Sequence, residues 1–231
     1  MNKLWKIMVI SGLLLILSAV LLYVHNYRES EEAFKNSQIA LNGLKDLIPE
    51  VPEESVSTIE KEFGLDFEIK SGNNVFEEFE EEYGAENNNN NKSAEPVEMP
   101  SIELDGRYYC GYITLTSLGI ELPVLNGWNY TNLNIAPCRY EGSPQTHDFI
   151  IAAHNYNSHF GQIHYLGEGD EIIFTDISGE KYRYTVTYTE YIDGYNIEQM
   201  SENKDSSWDL TLFTCTLNGQ SRVTVRAKLD E

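Results

Sequence analysis

The chain has 231 residues with 37 acidic and 16 basic side chains, which give a formal net charge of −21 at pH 7. This balance argues against a nucleic-acid-binding protein, because phosphate contacts need clustered Lys and Arg. Apolar residues make up 41% of the chain and aromatic residues 12%. These side chains are numerous enough to build a core, so a wholly disordered chain is excluded.

The first segment of the chain is apolar, since residues 7–24 form 18 consecutive positions without a charge. As a helix they would span about 27 Å, close to the roughly 30 Å of a bilayer's hydrocarbon core. A cleaved signal peptide also begins with basic residues such as Lys3 and Lys6. The anchor is favoured because this run is longer than the apolar region of a signal peptide and no small-residue cleavage motif ends it.

The basic residues before this segment predict its orientation, because positive charges remain on the cytoplasmic side. Residues 1–6 are therefore predicted to form a cytoplasmic tip and residues 7–24 a transmembrane signal-anchor helix. We expect a single-pass protein of the cell membrane with its N-terminus in the cytoplasm. The folded domain is then expected on the extracellular face.

Residues 25–100 carry a net charge of −13 and are predicted to form an acidic, partly helical or disordered extracellular stalk. Apolar residues within 29–48 have helical spacing, which predicts a short amphipathic helix beyond the membrane. Ser57 and Glu60 fit the capping pattern of a second short helix. Residues 77–96 are rich in Glu and Asn and are closed by a proline, which is typical of a solvated linker.

From residue 101 to residue 231 the sequence consists of short runs rich in Tyr, Thr, Val and Ile, separated by Gly, Asn, Asp and Pro. This texture predicts a mainly β domain with a closed or nearly closed barrel. Two short helices are expected, at Tyr130–Ile135 and His159–Leu166. The predicted strands are Arg107–Thr114, Ile120–Leu125, Asp148–Ala153, Glu171–Thr175, Tyr182–Tyr191, Trp208–Cys215 and Ser221–Lys228.

Three cysteines in an exported domain leave at least one thiol outside any internal pairing. Cys215 ends a predicted strand on the face opposite Leu210 and Leu212, where a thiol can meet a substrate. The short turn that follows contains Asn-Gly and predicts a hairpin that returns Arg222 beside Cys215. Arg226 lies farther along the same strand and is expected on the surface. Cys110 and Cys138 are expected to be buried free thiols.

A cysteine nucleophile needs a partner for proton transfer, and His154 is the candidate because it also lies at the end of a predicted strand. A purely structural histidine at that position remains an alternative. His159 and His164 follow at intervals of five residues, which match no common zinc-binding spacing, so no metal is expected. The acidic loop at residues 168–171 is expected to be solvated and not a calcium site.

Four short motifs, taken in chain order, resemble the sortase family, the membrane-anchored transpeptidases of Gram-positive surfaces. Each motif alone is weak, and their order makes the resemblance specific. It extends over residues 101–231. The motifs are LPV at Leu122–Val124, FIIAAHN at Phe149–Asn155, HFGQIHYLGEGDEI at His159–Ile172, and TLFTC at Thr211–Cys215 followed by Arg222.

The resemblance implies an eight-stranded sortase-type β-barrel and a cysteine transpeptidase. It implies that Cys215 is the nucleophile that forms an acyl-thioester, that His154 donates and accepts the proton, and that Arg222 hydrogen-bonds the substrate or the transition state. The implied partners are exported proteins with an LPxTG-like C-terminal sorting signal and an amine acceptor such as a peptidoglycan precursor. No cofactor is implied.

The departures from the family pattern bear on the subclass. Ala152 and Ala153 precede the histidine where the family often has glycine, and neither a lid motif nor a C-terminal membrane helix is present. A class B or class D relative is therefore expected in preference to a pilus-building class C enzyme. Two alternatives remain open: an exported cysteine peptidase or amidase that only hydrolyses, and a tethered β-domain without catalysis.

Overall fold

The computed structural model describes residues 3–50, 99–201, 207–217 and 219–230. The predicted linker at residues 77–96 and the predicted helix cap at Ser57 lie outside these ranges. The described part of the chain consists of one long N-terminal helix and a β-barrel, with short helices between the strands.

Helix α1 is continuous over Lys3–Leu47. It is long and apolar enough to cross a membrane, and its large apolar side chains from Met8 to Val24 are exposed. The sequence predicted a separate short helix at residues 29–48, whereas the structure continues the anchor helix through it. Neither glycine nor proline interrupts residues 13–42, so nothing in the chain ends the helix there.

The last part of α1 packs against the barrel with one face. The buried residues on this face recur every three or four positions, as one side of a helix requires. Gly43 allows close contact, because an added Cβ would lie 3.0 Å from Leu104 Cδ2. Lys45 forms an ion pair with Glu121 of the barrel. The buried residues are Ala33, Ser37, Ala40, Leu41, Leu44 and Ile48.

Nine strands are present among the described residues, and eight of them close into a barrel. Around the barrel the order is β2-β3-β4-β5-β8-β9-β7-β6, with β6 pairing back to β2, while β1 extends the sheet at β2. The strands are β1 (Ile102–Leu104), β2 (Arg107–Leu115), β3 (Ile120–Leu125), β4 (Cys138–Glu141), β5 (Phe149–Ala152), β6 (Glu171–Asp176), β7 (Lys181–Asp193), β8 (Leu210–Cys215) and β9 (Ser221–Leu229).

The short helices lie in the connections. Helix α2 spans Tyr130–Leu133 between β3 and β4, and helix α3 spans Ile197–Ser201 between β7 and β8. Single 3-10 turns occupy Thr116–Leu118, Pro144–Thr146 and Ile163–Tyr165. The predicted helix at His159–Leu166 is therefore only this last turn.

The barrel closes at Gly111, where β2 bulges and one of its edges changes its pairing partner from β1 to β6. Its φ of +150° is unfavourable for other residues, and an added Cβ would lie 2.1 Å from the Thr175 carbonyl oxygen of β6. Every predicted strand is present, with ends shifted by at most two residues. The mainly β, eight-stranded barrel is confirmed, while β1, β4 and α3 were not predicted.

Apolar side chains pack in two layers, one inside the barrel and one outside it. Phe149, Leu210 and Leu212 belong to the interior cluster. The outer cluster lies between the sheet and α1 and includes Leu44 and Ala152. The face of the sheet that carries the end of β5 is therefore partly covered by the N-terminal helix.

The prediction that Arg226 lies on the surface is wrong. Its side chain is 1% exposed, because the chain between β7 and β8 returns over it. The guanidinium donates to the Glu190 carboxylate, to Thr211 Oγ1 and to the carbonyl oxygens of Gln199 and Met200. It also lies 4.7 Å from the ring centre of Trp208. A buried charge with this many partners holds the β7–β8 connection to the barrel.

Candidate active site

Two neighbouring parallel strands, β5 and β8, position His154 and Cys215. Their register pairs Ala152 with Phe213, and the Ala153 amide donates to the Phe213 carbonyl oxygen over 3.2 Å. His154 and Cys215 each follow this pair by two residues, so the two parallel strands carry them to the same end of the barrel. The strands thus bring together two residues that are 61 positions apart in the sequence.

Thr214 fixes this register with its side chain. It is buried, and its Oγ1 donates to the Ala153 carbonyl oxygen over 2.8 Å. The hydrogen bond joins the residue before Cys215 to the residue before His154. Sequence reasoning gave Thr214 no special role, since threonine is common in strands.

The hairpin between β8 and β9 places Arg222 directly opposite Cys215 in the strand pairing. Its guanidinium donates to the carbonyl oxygens of Gly219 and Ser221 over 3.1 and 3.2 Å. Gly194 leaves room for it, because an added Cβ there would lie 3.0 Å from Arg222 Nη1. Among the described residues no carboxylate forms an ion pair with Arg222, so its positive charge is not neutralised within them.

His154 is partly buried and contacts a residue that sequence reasoning did not identify. Its Nε2 lies 3.0 Å from the Asn134 side-chain oxygen, an acceptor that favours the tautomer with the proton on that nitrogen. Burial lowers the pKa of His154, and the nearby charge of Glu29 acts in the opposite direction. Asn134 follows α2 in the connection between β3 and β4, where no motif or periodicity singles it out.

An aromatic wall adjoins the thiol on the outer face of the sheet. Phe213 shares this face of β8 with Cys215 and packs edge-on against Tyr140 of β4, at 5.4 Å between ring centres. Tyr140 in turn stacks on Trp128 at 5.4 Å. This wall, consisting of Trp128, Tyr140 and Phe213, provides an apolar surface beside the polar site.

The three cysteines differ in their surroundings. All are free thiols; Cys110 and Cys138 are buried, and Cys215 is partly exposed. Burial raises the pKa of Cys110 to about 12 and raises that of Cys138 as well. Both buried thiols therefore remain protonated and shielded from reagents, which leaves Cys215 as the thiol placed to react.

The other histidines do not join His154 around a metal. His159 is fully buried, and His164 is exposed with its Nδ1 3.0 Å from the Gly161 carbonyl oxygen. Within residues 3–50 and 99–230, as far as the structure describes them, no three His, Cys, Asp or Glu side chains lie close enough to hold a metal ion. The site has the groups for thiol chemistry: a thiol, an imidazole and a guanidinium.

Comparisons with known proteins find similarity to sortases. Solved structures that resemble this chain include Sortase C-3 from Streptococcus pneumoniae, at 28% identity, 55% coverage of this chain, 64% coverage of that chain and a TM-score of 0.48. Sortase A from Corynebacterium diphtheriae is 23% identical, with coverages of 54% and 62% and a TM-score of 0.48. A Clostridium perfringens Sortase D5 transpeptidase is 24% identical, with coverages of 53% and 79% and a TM-score of 0.47.

No curated protein matches the chain. The family described as Sortase domain matches residues 113–230, which is just over half of the chain. The matched segment contains β3 to β9 and includes His154, Cys215 and Arg222. Because the family model matches more than half of the chain, the chain belongs to the sortase family and is a cysteine transpeptidase.

Proposed function

We propose that this sortase cleaves an LPxTG-like sorting signal of exported proteins and transfers them to an amino group of the cell wall or its precursor. The observation that carries the proposal is the strand register, which brings His154 and Cys215 to the same end of two neighbouring parallel strands and pairs Cys215 with Arg222. Residues 7–24 would anchor the enzyme in the cell membrane, with the barrel on the outer face.

In the first step His154 accepts the Cys215 proton, and the sulfur attacks the carbonyl carbon of the signal's Thr–Gly bond. The tetrahedral intermediate carries a negative oxygen, to which Arg222 donates a hydrogen bond. A lowered His154 pKa keeps the imidazole neutral at pH 7, and the neutral ring is the form that can accept a proton. When the C–N bond breaks, the imidazolium returns its proton to the leaving amine, and a thioester remains on Cys215.

In the second step an amine attacks the thioester carbonyl. His154 takes a proton from this amine and returns it to the sulfur as the C–S bond breaks, which restores the Cys215 thiol. The product is an amide bond between the exported protein and the acceptor. The apolar wall of Trp128, Tyr140 and Phe213 offers a surface for apolar side chains. It therefore supports the proposal that the sorting signal has apolar residues near its cleavage site.

The test uses the full chain in detergent micelles with fluorogenic LPxTG and NPxTN peptides, with and without triglycine. Transfer to triglycine that is lost in Cys215→Ala and retained in Cys110→Ala is the expected result, because Cys110 is buried. Hydrolysis that no amine redirects would indicate a peptidase or amidase. Binding without turnover, unchanged in Cys215→Ala, would indicate a non-catalytic domain. A trapped acyl adduct located by mass spectrometry identifies the nucleophile.

A further inference from the structure

The loop at residues 153–161 carries His154 and lies between the barrel end and helix α1. Three rings follow one another along it. His154 and Tyr156 are 5.0 Å apart between ring centres, and Tyr156 and His159 are 5.6 Å apart. This ring row, consisting of His154, Tyr156 and His159, connects the proposed catalytic imidazole to a fully buried side chain.

Backbone hydrogen bonds connect the two ends of the loop at residues 153–161. A displacement of residues 158–161 is therefore expected to move His154. The Phe160 amide donates to the His154 carbonyl oxygen over 3.1 Å, and the Gly161 amide donates to the Tyr156 carbonyl oxygen over 2.9 Å. A side chain at Gly161 would not fit, because an added Cβ would lie 2.5 Å from the Asn155 carbonyl oxygen. The position of His154 therefore depends on what supports this loop from outside.

Helix α1 supplies that support where it leaves the predicted membrane segment. Ser158 Oγ donates to the Ser30 carbonyl oxygen over 3.4 Å, across 128 positions of sequence. Ala33, one turn farther along, is 2% exposed, and His159 is 0% exposed. The backbone groups of Ala33 and of Ile135 lie next to the His159 ring. The inner end of the ring row is thus enclosed by α1 and by the β3–β4 connection.

We propose that the first turns of α1 beyond the membrane segment, residues 29–33, are a positioning element of the active site. They hold the loop that carries His154 through the Ser158–Ser30 hydrogen bond, next to the buried Ala33. The proposal rests on the proposed function for its kinetic test only. It assigns to the membrane helix a part in catalysis in addition to anchoring.

The charge of Glu29 provides a test of how close α1 lies to His154. Tyr156 and His159 approach His154 from the same loop, and Asn134 is neutral. Glu29 acts on His154 from α1 and itself pairs with His25 at 3.4 Å. Among the described residues Glu29 is the acid whose charge favours the imidazolium form, raising the pKa of His154 against the effect of burial. Removing that charge should therefore lower the pKa of His154.

The first experiment is an NMR titration of the histidine rings in the full chain in detergent micelles. In Glu29→Gln the His154 titration is expected to move to lower pH than in the wild type. Glu32→Gln removes the same charge from another exposed position of the same helix and is expected to leave the titration in place, because Glu29 and not Glu32 acts on His154. Identical His154 titrations in Glu29→Gln and Glu32→Gln would refute the proximity of residues 29–33 to His154. No substrate is needed, so this result stands even if every sorting peptide fails.

The second experiment measures kinetics. Ala33→Glu places a charge between α1 and the loop, and Asn36→Glu places the same charge on the exposed side of α1. We expect Ala33→Glu to lower kcat by ~10-fold or more with little change in KM, because small displacements of a proton-transfer group are costly. Asn36→Glu should match the wild type. Equal kcat values in the two folded variants would overturn the positioning role. If circular dichroism finds Ala33→Glu unfolded, the Glu29 titration decides.

Discussion

At the scale of single residues, Asn134 bears most directly on His154. Its side-chain oxygen lies 3.0 Å from Nε2 and favours the tautomer in which Nε2 donates, which leaves Nδ1 as the nitrogen that can take a proton from the thiol. A histidine oriented by a neutral amide differs from one oriented by a carboxylate, because the amide adds no negative charge to favour the imidazolium. Asn134 therefore sets the orientation and tautomer of the ring without greatly favouring its charged form.

Replacing Asn134 tests this role. In Asn134→Ala we expect kcat/KM to fall about 5-fold, since one hydrogen bond contributes roughly 1 kcal/mol. In Asn134→Asp the added charge should move the acidic limb of the pH–rate profile to higher pH. Asn157→Ala changes an exposed asparagine of the neighbouring loop and should have no effect. Wild-type kinetics in Asn134→Ala would remove Asn134 from the mechanism.

At the scale of secondary-structure elements, the β7–β8 connection is held by one buried side chain. It begins beside Arg222, where the Gly194 amide donates to the Gln220 carbonyl oxygen over 2.8 Å. Farther along, its helix α3 ends over Arg226. The connection thus extends from the active site to the middle of β9, and Arg226 anchors its far part.

The substitution Arg226→Met should destabilise the fold by about 3 kcal/mol or more, because it leaves Glu190, Thr211 and two carbonyl groups without their donor. Urea unfolding of the full chain measures this loss. Arg183→Met provides the matched control, since Arg183 pairs with Glu171 at a solvent-exposed position and should cost less than about 1 kcal/mol. Similar losses in the two variants would mean that the buried contacts at Arg226 contribute little.

At the scale of the whole molecule, the junction of α1 and the barrel buries a titratable group. Burial lowers the pKa of His159 to about 4, and the neighbouring His154 acts in the same direction. In the unfolded chain the pKa of a histidine is about 6.5. Between these values the unfolded chain binds a proton that the folded chain does not bind. Folding stability from this residue is therefore complete above about pH 6.5 and falls as the pH decreases toward 4.

His159→Phe isolates this contribution. The wild type should lose roughly 3 kcal/mol more than the variant between pH 7 and pH 4, as the pKa difference requires. Urea unfolding at several pH values gives the comparison, and carboxylate effects cancel because both proteins share them. His164→Phe, at an exposed histidine, should retain the wild-type pH dependence. If the free energy of unfolding falls equally with decreasing pH in the wild type and in His159→Phe, His159 is not the source of the acid-induced loss of stability.

Much of this molecule could be predicted from its sequence where local pattern decides structure. Alternating side chains located seven strands, and motif order located the three residues at the strand ends. Strand β4 was missed because four residues carry too little periodicity. Arg226 was wrongly predicted to be exposed, because strand alternation does not reveal a loop that returns over it. Asn134 meets His154 only through the tertiary fold.

The continuity of α1 has a geometric consequence for the substrate. Val24 ends the uncharged segment and Ser30 touches the His154 loop, six residues later. At 1.5 Å per residue the rise is about 9 Å, the depth of a lipid headgroup layer. With residues 7–24 in the bilayer, the length of α1 beyond Val24 is fixed. This length would set the distance of the Cys215 thiol from the membrane surface. A cleavage site that lies much farther from the membrane than Cys215 would not meet the thiol. The distance of the cleavage site from the membrane, as well as its sequence, would therefore select the substrates of this enzyme.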